Sequence, residues 1–117
     1  MNGNVLKVTT RNKDHIRIID MEGDFTLFAD EVVNNTVRTL INNGETKIIL
    51  NFANVGYINS SGIAIIIGLV TLLSNKGGRL RACGLIPHFQ KVFNMVGLTQ
   101  YMDLFDSEKE ALASFNG

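Results

Sequence analysis

Two hydroxyl side chains and a glycine, Ser60, Ser61 and Gly62, stand between an apolar strand-like segment and a strongly apolar helix-like segment. At the start of a helix, backbone N–H groups lack partners and the helix dipole favours negative charge. These serines are therefore well placed to carry a phosphate or to present a small polar surface to a partner. The segment from Val55 to Ala64 contains no His, Asp or Glu, so it is poorly equipped for general acid–base catalysis. Its chemistry indicates a switch more than an active site.

The rest of the chain offers little for an enzyme. The sequence around His15 and His88 suggests neither a catalytic triad nor a metal site, and we expect solvent-facing or capping histidines. The chain contains no glycine loop of the kinds that cradle phosphates and no nucleophile elbow of the G-x-S-x-G type. We therefore expect no catalytic residues, no cofactor and no metal.

Composition limits the class of protein. The 117 residues fit one domain, residues 1–117, and 11 basic residues balance 11 acidic ones, which argues against direct nucleic-acid binding and broad binding to anionic membranes. The longest apolar run, Gly62–Val70, is shorter than the roughly 20 residues of a membrane span, and Met1–Asn4 lacks a secretion signal. The single cysteine, Cys83, fits a reducing compartment and a buried site. We expect a soluble cytoplasmic protein.

Hydrophobic patterning predicts alternating strands and helices, which is typical of an α/β domain. The predicted strands are Val5–Thr10, Ile16–Met21, about Thr46–Phe52, Arg79–Gly84 and Tyr101–Phe105. The predicted helices are about Leu27–Asn43, Ser60–Asn75, Pro87 to about Gly97, and a last helix after a possible capping box of Ser107 and Glu110. A hairpin turn at Arg11–Asp14 makes one edge antiparallel, and Gly23–Asp24 ends the second strand. The expected sheet is mixed, mostly parallel, with about five strands and about four helices.

Four segments then stand in a specific order along the chain. They are the glycine turn Gly23–Thr26, the central strand Ile48–Phe52, the strand-to-helix segment Tyr57–Ala64, and the late-helix exit Phe93–Leu98. Together they resemble the STAS domain, and in particular the small anti-sigma factor antagonists of bacteria. The resemblance covers nearly the whole chain and is carried by the combined order and spacing.

The resemblance implies a phosphorylation switch. A partner kinase of the anti-sigma factor type, which carries its own ATP, would phosphorylate the serine immediately before the glycine, here Ser61. The unmodified protein would bind the kinase and so release a sigma factor. The phosphorylated protein would dissociate from the kinase until a serine phosphatase removes the phosphate. The partner surface is expected at the helix start and the adjoining loops, with these candidates: Asp24, Thr26, Phe28, Gly56, Tyr57, Asn59, Ser60 and Gly62.

The chain departs from the family pattern at two positions, because Asn59 and Thr26 stand where the family often has Asp. Both differences remove negative charge near Ser61, which would either ease a phosphate into place or weaken recognition by the kinase. Two other functions therefore stay open. One is a STAS subunit that is not phosphorylated, in a stress-signalling scaffold or a lipid-transport complex; the other is a small enzyme or nucleotide-binding domain.

The sequence leaves the orientation of several apolar side chains open. Phe25 and Phe28 stand beside a glycine turn, where they would either pack as lids on the helix or anchor a partner. Tyr57 would either bond within its loop or point outward. Met95, near the end of the third helix, is expected to fill the core.

Overall fold

The computed structural model describes residues 5–116 as an α/β domain. The strands are β1 (Lys7–Lys13), β2 (Ile16–Phe25), β3 (Lys47–Ile58), β4 (Arg79–Cys83) and β5 (Asp103–Phe105). The helices are α1 (Asp30–Asn42), α2 (Ser60–Asn75), α3 (Pro87–Met95) and α4 (Glu108–Ala113), and two 3₁₀ turns are Leu27–Ala29 and Leu98–Gln100. These bounds confirm the predicted alternation of strands and helices.

The five strands form one sheet in the order β1-β2-β3-β4-β5. Strand β1 is antiparallel to β2, and the pairs β2–β3, β3–β4 and β4–β5 are parallel. One core joins the sheet to α1, α2 and α3, and a smaller core on the other face joins it to α4. The predicted mixed, mostly parallel sheet is therefore confirmed, and its three parallel crossovers place α1, α2 and α3 on one face.

The hairpin turn lies later than the pattern predicts. Strand β1 continues to Lys13, and the turn is made by Asp14 and His15, whose φ angles are 53° and 67°. Two consecutive residues with positive φ form the kind of tight turn that matches the twist of the flanking strands. The predicted turn at Arg11–Asp14 is therefore wrong, because no Asn-Gly or Asp-Gly pair marks its true position.

The two central strands are longer than predicted. Strand β2 does not end at Gly23–Asp24 but runs to Phe25, and β3 runs beyond its predicted end at Phe52 to Ile58, where it pairs with Phe25. The register between them shifts between Asp20 and Glu22 and again between Gly23 and Asp24. Such irregularities break the alternation of apolar and polar residues, and they hide a strand from a pattern-based prediction. Consequently Gly56 and Tyr57 belong to β3.

Smaller corrections concern the ends of elements. Strand β4 stops at Cys83, before Gly84 with its φ of 80°, and β5 begins only at Asp103 because the Leu98–Gln100 turn precedes it. The expectation that Met95 fills the core is wrong, since its side chain is 81% exposed at the last residue of α3. Cys83 is buried as predicted, and burial raises the pKa of its thiol to about 11.

Three buried phenylalanines connect the central strands to the helices. Phe52 of β3 lies with its ring centroid 6.2 Å from that of Phe25 and 5.8 Å from that of Phe93 on α3. All three side chains are at most 1% exposed. Aromatic contacts at these distances add to the stabilisation that burial alone provides. These contacts connect the end of β2, the middle of β3 and α3.

A polar network on the other face attaches α4 to the sheet. Arg11 of β1 donates to the carboxylates of Asp20 and Glu108, with its Nη2 atom 2.9 Å and 2.6 Å from their nearer oxygens. Asp20 also accepts a 2.8 Å bond from the side chain of Asn51. The guanidinium of Arg11 lowers the pKa of Asp20. At the start of α4, the hydroxyl of Ser107 accepts the N–H of Glu110 at 3.2 Å, which confirms the serine half of the predicted capping box.

Candidate functional site

The serine pair lies where the carboxyl ends of β2 and β3 meet the start of α2. Asn59 is the N-cap of α2, and its side-chain oxygen accepts the N–H of Gly62 at 2.9 Å. The backbone N–H of Asn59 also donates to the carbonyl oxygen of Phe25 at 3.3 Å. A capping side chain of this kind stabilises a helix by about 1 kcal/mol. One residue therefore fixes the start of α2 to the end of β2.

Gly62 brings α2 into direct contact with β2. A Cβ atom added to this glycine would lie 2.2 Å from the carbonyl oxygen of Phe25 and 3.0 Å from its carbonyl carbon. Real side chains do not approach a backbone so closely, and a backbone atom cannot swing aside as a flexible side chain can. Glycine is required here by close packing, since its φ is not in the left-handed region. The glycine thus fixes how near the serine pair stands to the sheet.

The two serines differ in exposure. Ser60 is exposed at the first residue of α2, and Ser61, which follows it, is partly buried. The cap residue Asn59 engages the N–H groups of Gly62 and Ile63, which leaves those of Ser60 and Ser61 outside the cap. The first turn of α2 carries no acidic residue. A negative group on either serine would therefore meet the positive end of the helix dipole with no competing carboxylate in that turn.

The segment between β2 and α1 presents apolar side chains to solvent. Phe25 is completely buried, whereas Phe28 is 87% exposed on the 3₁₀ turn, so the two phenylalanines have opposite orientations. The turn is held by the hydroxyl of Thr26, which accepts the N–H of Phe28 at 3.4 Å. Tyr57 on β3 is 51% exposed, so half of its surface faces outward. Aromatic side chains with this exposure are the usual anchors of protein interfaces.

Two further exposed residues lie in loops at the same edge of the sheet and were not predicted. Leu27 is 61% exposed beside Phe28, and Ile86 is 49% exposed in the loop that follows β4. Both positions follow the carboxyl end of a parallel strand, which is the edge where ligands and partners meet such sheets. The sequence does contain a signal for Ile86. Pro87 starts a helix, so the residue directly before it is expected in a loop.

The structure divides the predicted site residues into three groups, one of which is Thr26, Phe28 and Tyr57, described above. Asn59, Ser60, Ser61 and Gly62 form the start of α2. Asp24 and Gly56 instead line a polar hollow of about 440 Å³ that also includes Val5 and residues of β1 and β2. Gly62 is buried, so its contact is with Phe25 and not with solvent.

Neither histidine joins a catalytic arrangement. His15 lies in the β1–β2 turn, and the ring of His88 contacts Phe89, with their centroids 5.0 Å apart. Within residues 5–116, no three His, Cys, Asp or Glu side chains come together as potential metal ligands. None of the helices in that range is long and apolar enough to cross a membrane.

Comparison with known proteins identifies the family. The family model of the STAS domain matches residues 7–111. The anti-sigma F factor antagonist of Paenibacillus polymyxa is 25% identical over 108 residues, which are 92% of this chain and 92% of that protein. The phosphorylated form of the Bacillus cell fate determinant SpoIIAA superposes with a TM-score of 0.72 at 27% identity, covering 93% of this chain and 99% of its own.

A third comparison supports the same architecture. An anti-sigma factor antagonist from Mycobacterium paratuberculosis superposes with a TM-score of 0.84, over 96% of this chain and 95% of its own. At 12% identity, this likeness shows the fold alone. Because the family model spans nearly all of the described residues, the chain belongs to the STAS domain family.

Proposed function

We propose that this protein is an anti-sigma factor antagonist whose binding to an anti-sigma factor serine kinase is switched off by phosphorylation of Ser61. The observation that carries the proposal is the position of Ser61, on the first turn of α2, which is capped by Asn59 and has no acidic residue. Relatives that match this chain over most of its length are anti-sigma factor antagonists, and one relative has been solved in a phosphorylated form. The role is regulatory and non-enzymatic, in the cytoplasm, and the whole chain, residues 1–117, acts as one domain.

The physics of the site explains how modification would act. A phosphate adds a charge of about −1.5 to −2 at neutral pH. On Ser61, that charge would meet the free N–H groups and positive dipole of the α2 start, so the fold tolerates it. A partner seated on the surface around Ser60, Tyr57 and Phe28 would instead meet new charge and bulk. Phosphorylation therefore changes binding and leaves the protein folded.

Neutral residues stand at the two positions where the chain departs from the family pattern. Asn59 caps α2 through its side-chain oxygen without adding a negative charge beside Ser61. Thr26 likewise uses a neutral hydroxyl to hold the turn that carries Phe28. Neutral side chains at these positions reduce the repulsion of a phosphate, and they also remove two charges from the surface that the kinase would contact. The kinase supplies the ATP, and a serine phosphatase restores the binding form.

A charge substitution tests this function. We expect Ser61→Glu to weaken binding to the cognate kinase at least about tenfold, because a buried unpaired charge costs well over 1.4 kcal/mol at an interface. The measurement is isothermal titration of each purified anti-sigma-type kinase of the same genome into the full chain. Thermal unfolding of both proteins shows whether the fold is kept, as an acidic residue in a first helical turn predicts.

The matched control is Ala113→Glu, which adds the same charge at an exposed position of α4 on the other face of the sheet. It should bind the kinase like the unmodified protein. Equal affinities of Ser61→Glu and the unmodified protein would instead favour a STAS subunit that binds its partner without a phosphorylation switch.

A further inference from the structure

An apolar groove lies between the second half of α2 and the turn that follows α3. Its volume is about 350 Å³, and its walls include Ile67, Val96 and Tyr101. These three side chains are 44%, 49% and 74% exposed. Apolar side chains clustered on a surface in this way mark contact sites for another molecule. The groove is far larger than the space that one water molecule occupies, and it can accept a large side chain.

The exposed face of α2 carries no charged residue between the serine pair and this groove. Helix α2 has 16 residues and none is charged, whereas α1 exposes two acidic residues and one basic residue, Asp30, Glu31 and Arg38. Surface helices normally carry charge on the solvent side, and the centres of protein interfaces are depleted of it. The exposed positions recur at helical spacing: Ser60, Ala64, Ile67, Gly68 and Thr71.

Gly68 has no structural reason to be a glycine. Nothing lies within 4 Å of the Cβ that a substitution would add, and its φ is not in the left-handed region. Glycine is a poor helix former, so the position carries a cost without a benefit to the isolated fold. A surface without a side chain lets another backbone approach closely. Gly68 therefore fits a helix of a partner packed directly on α2.

We propose that a helix of the anti-sigma factor kinase lies along α2 from Ser60 to the groove, so the interface is much longer than the phosphorylated serine. This inference rests on the proposed function, because it extends the same contact. The row of exposed residues is continuous, and a partner that covers Ser60 meets Ala64 and Gly68 next. Its helix is uncharged along that row and inserts an apolar side chain between Ile67 and Tyr101.

A charged side chain at the far end of the groove indicates which charge the partner carries there. A neighbouring hollow of about 200 Å³ shares Tyr101 and contains Arg79, Arg81 and Asp103. Arg81 is bound to Asp103 at 2.9 Å, and Arg79 is in none of the ion pairs formed within residues 5–116. An exposed arginine beside an apolar groove is complementary to a carboxylate that follows an apolar anchor. The kinase helix therefore ends in an acidic residue next to Arg79.

The test is the affinity of the full chain for each purified anti-sigma-type kinase of the same genome, measured by isothermal titration. Gly68→Arg places a long charged side chain in the middle of the contact, and we expect at least about tenfold weaker binding. Arginine is a good helix former, so the variant should fold, and thermal unfolding verifies this. Arg79→Glu should weaken binding severalfold at low salt. Ala113→Arg, on the opposite face of the sheet, is the matched control and should bind normally.

The outcomes separate this inference from the proposed function. If Ser61→Glu weakens binding but Gly68→Arg or Arg79→Glu does not, the long interface is wrong and the switch stands. Light scattering that shows a dimer, which Gly68→Arg dissociates without changing kinase affinity, would assign the groove to a second copy and overturn the inference. If no kinase binds the unmodified protein, both proposals fail.

Discussion

Replacing Gly62 with alanine is expected to destabilise the protein by about 1–3 kcal/mol, the usual cost of overpacking a well-packed site. The added Cβ would lie 2.2 Å from the carbonyl oxygen of Phe25, so either α2 or the end of β2 must move. That movement would also strain the 3.3 Å bond from Asn59 to Phe25. Chemical denaturation monitored by circular dichroism measures the free energy of unfolding.

The same helix offers a matched control in Gly68→Ala. The second substitution adds the same methyl group where nothing lies within 4 Å, and helix propensity alone should stabilise the protein by about 0.5–1 kcal/mol. The two alanine variants should therefore shift stability in opposite directions. Equal effects would show that Gly62 does not hold α2 against β2 in the way described.

Removing the ring of Phe52 should produce the largest loss of stability, about 3–5 kcal/mol for Phe52→Ala. This side chain is 1% exposed and contacts both Phe25 and Phe93, so its removal leaves a cavity where β2, β3 and α3 meet. Since a domain of this size is stabilised by only about 5–15 kcal/mol, the variant will unfold at a much lower denaturant concentration.

Phe28→Ala is the control for this substitution, because Phe28 is 87% exposed. Its effect on the free energy of unfolding should stay within about 0.5 kcal/mol, as expected for a surface position. The same substitution should change the free energy of kinase binding by more than it changes the free energy of unfolding, since exposed aromatic residues anchor interfaces. If Phe28→Ala loses as much stability as Phe52→Ala, the Phe28 side chain must be buried, and it would not point away from Phe25 into solvent.

The parts of the fold that local signals determine were predictable from the sequence. Helix α2 has the predicted bounds because Asn59 supplies a cap and the glycines after Lys76 end the helix. The mixed sheet followed from a β-branched hairpin and from the buried run of Ile48, Ile49 and Leu50 in β3. These features depend on neighbouring residues only, so a single sequence contains them.

Features that depend on distant contacts could not be predicted. Pairing with β2 extends β3 to Ile58, and the register shifts that accompany it leave no periodic pattern. The sequence predicted Gly62 as part of the partner surface, whereas the structure shows that the carbonyl of Phe25 excludes any side chain there. The exposure of Met95 and Ile86 likewise follows from how α3 packs on the sheet.

Intact mass spectrometry can show directly whether Ser61 is the phosphorylated residue. The purified chain is incubated with ATP and each anti-sigma-type kinase of its own genome, beside the Ser61→Ala and Ser60→Ala variants. We expect a gain of one phosphate in the unmodified protein and in Ser60→Ala, and none in Ser61→Ala. A phosphate that persists in Ser61→Ala, or no phosphate from any kinase, would show that Ser61 is not the phosphorylated residue of such a switch.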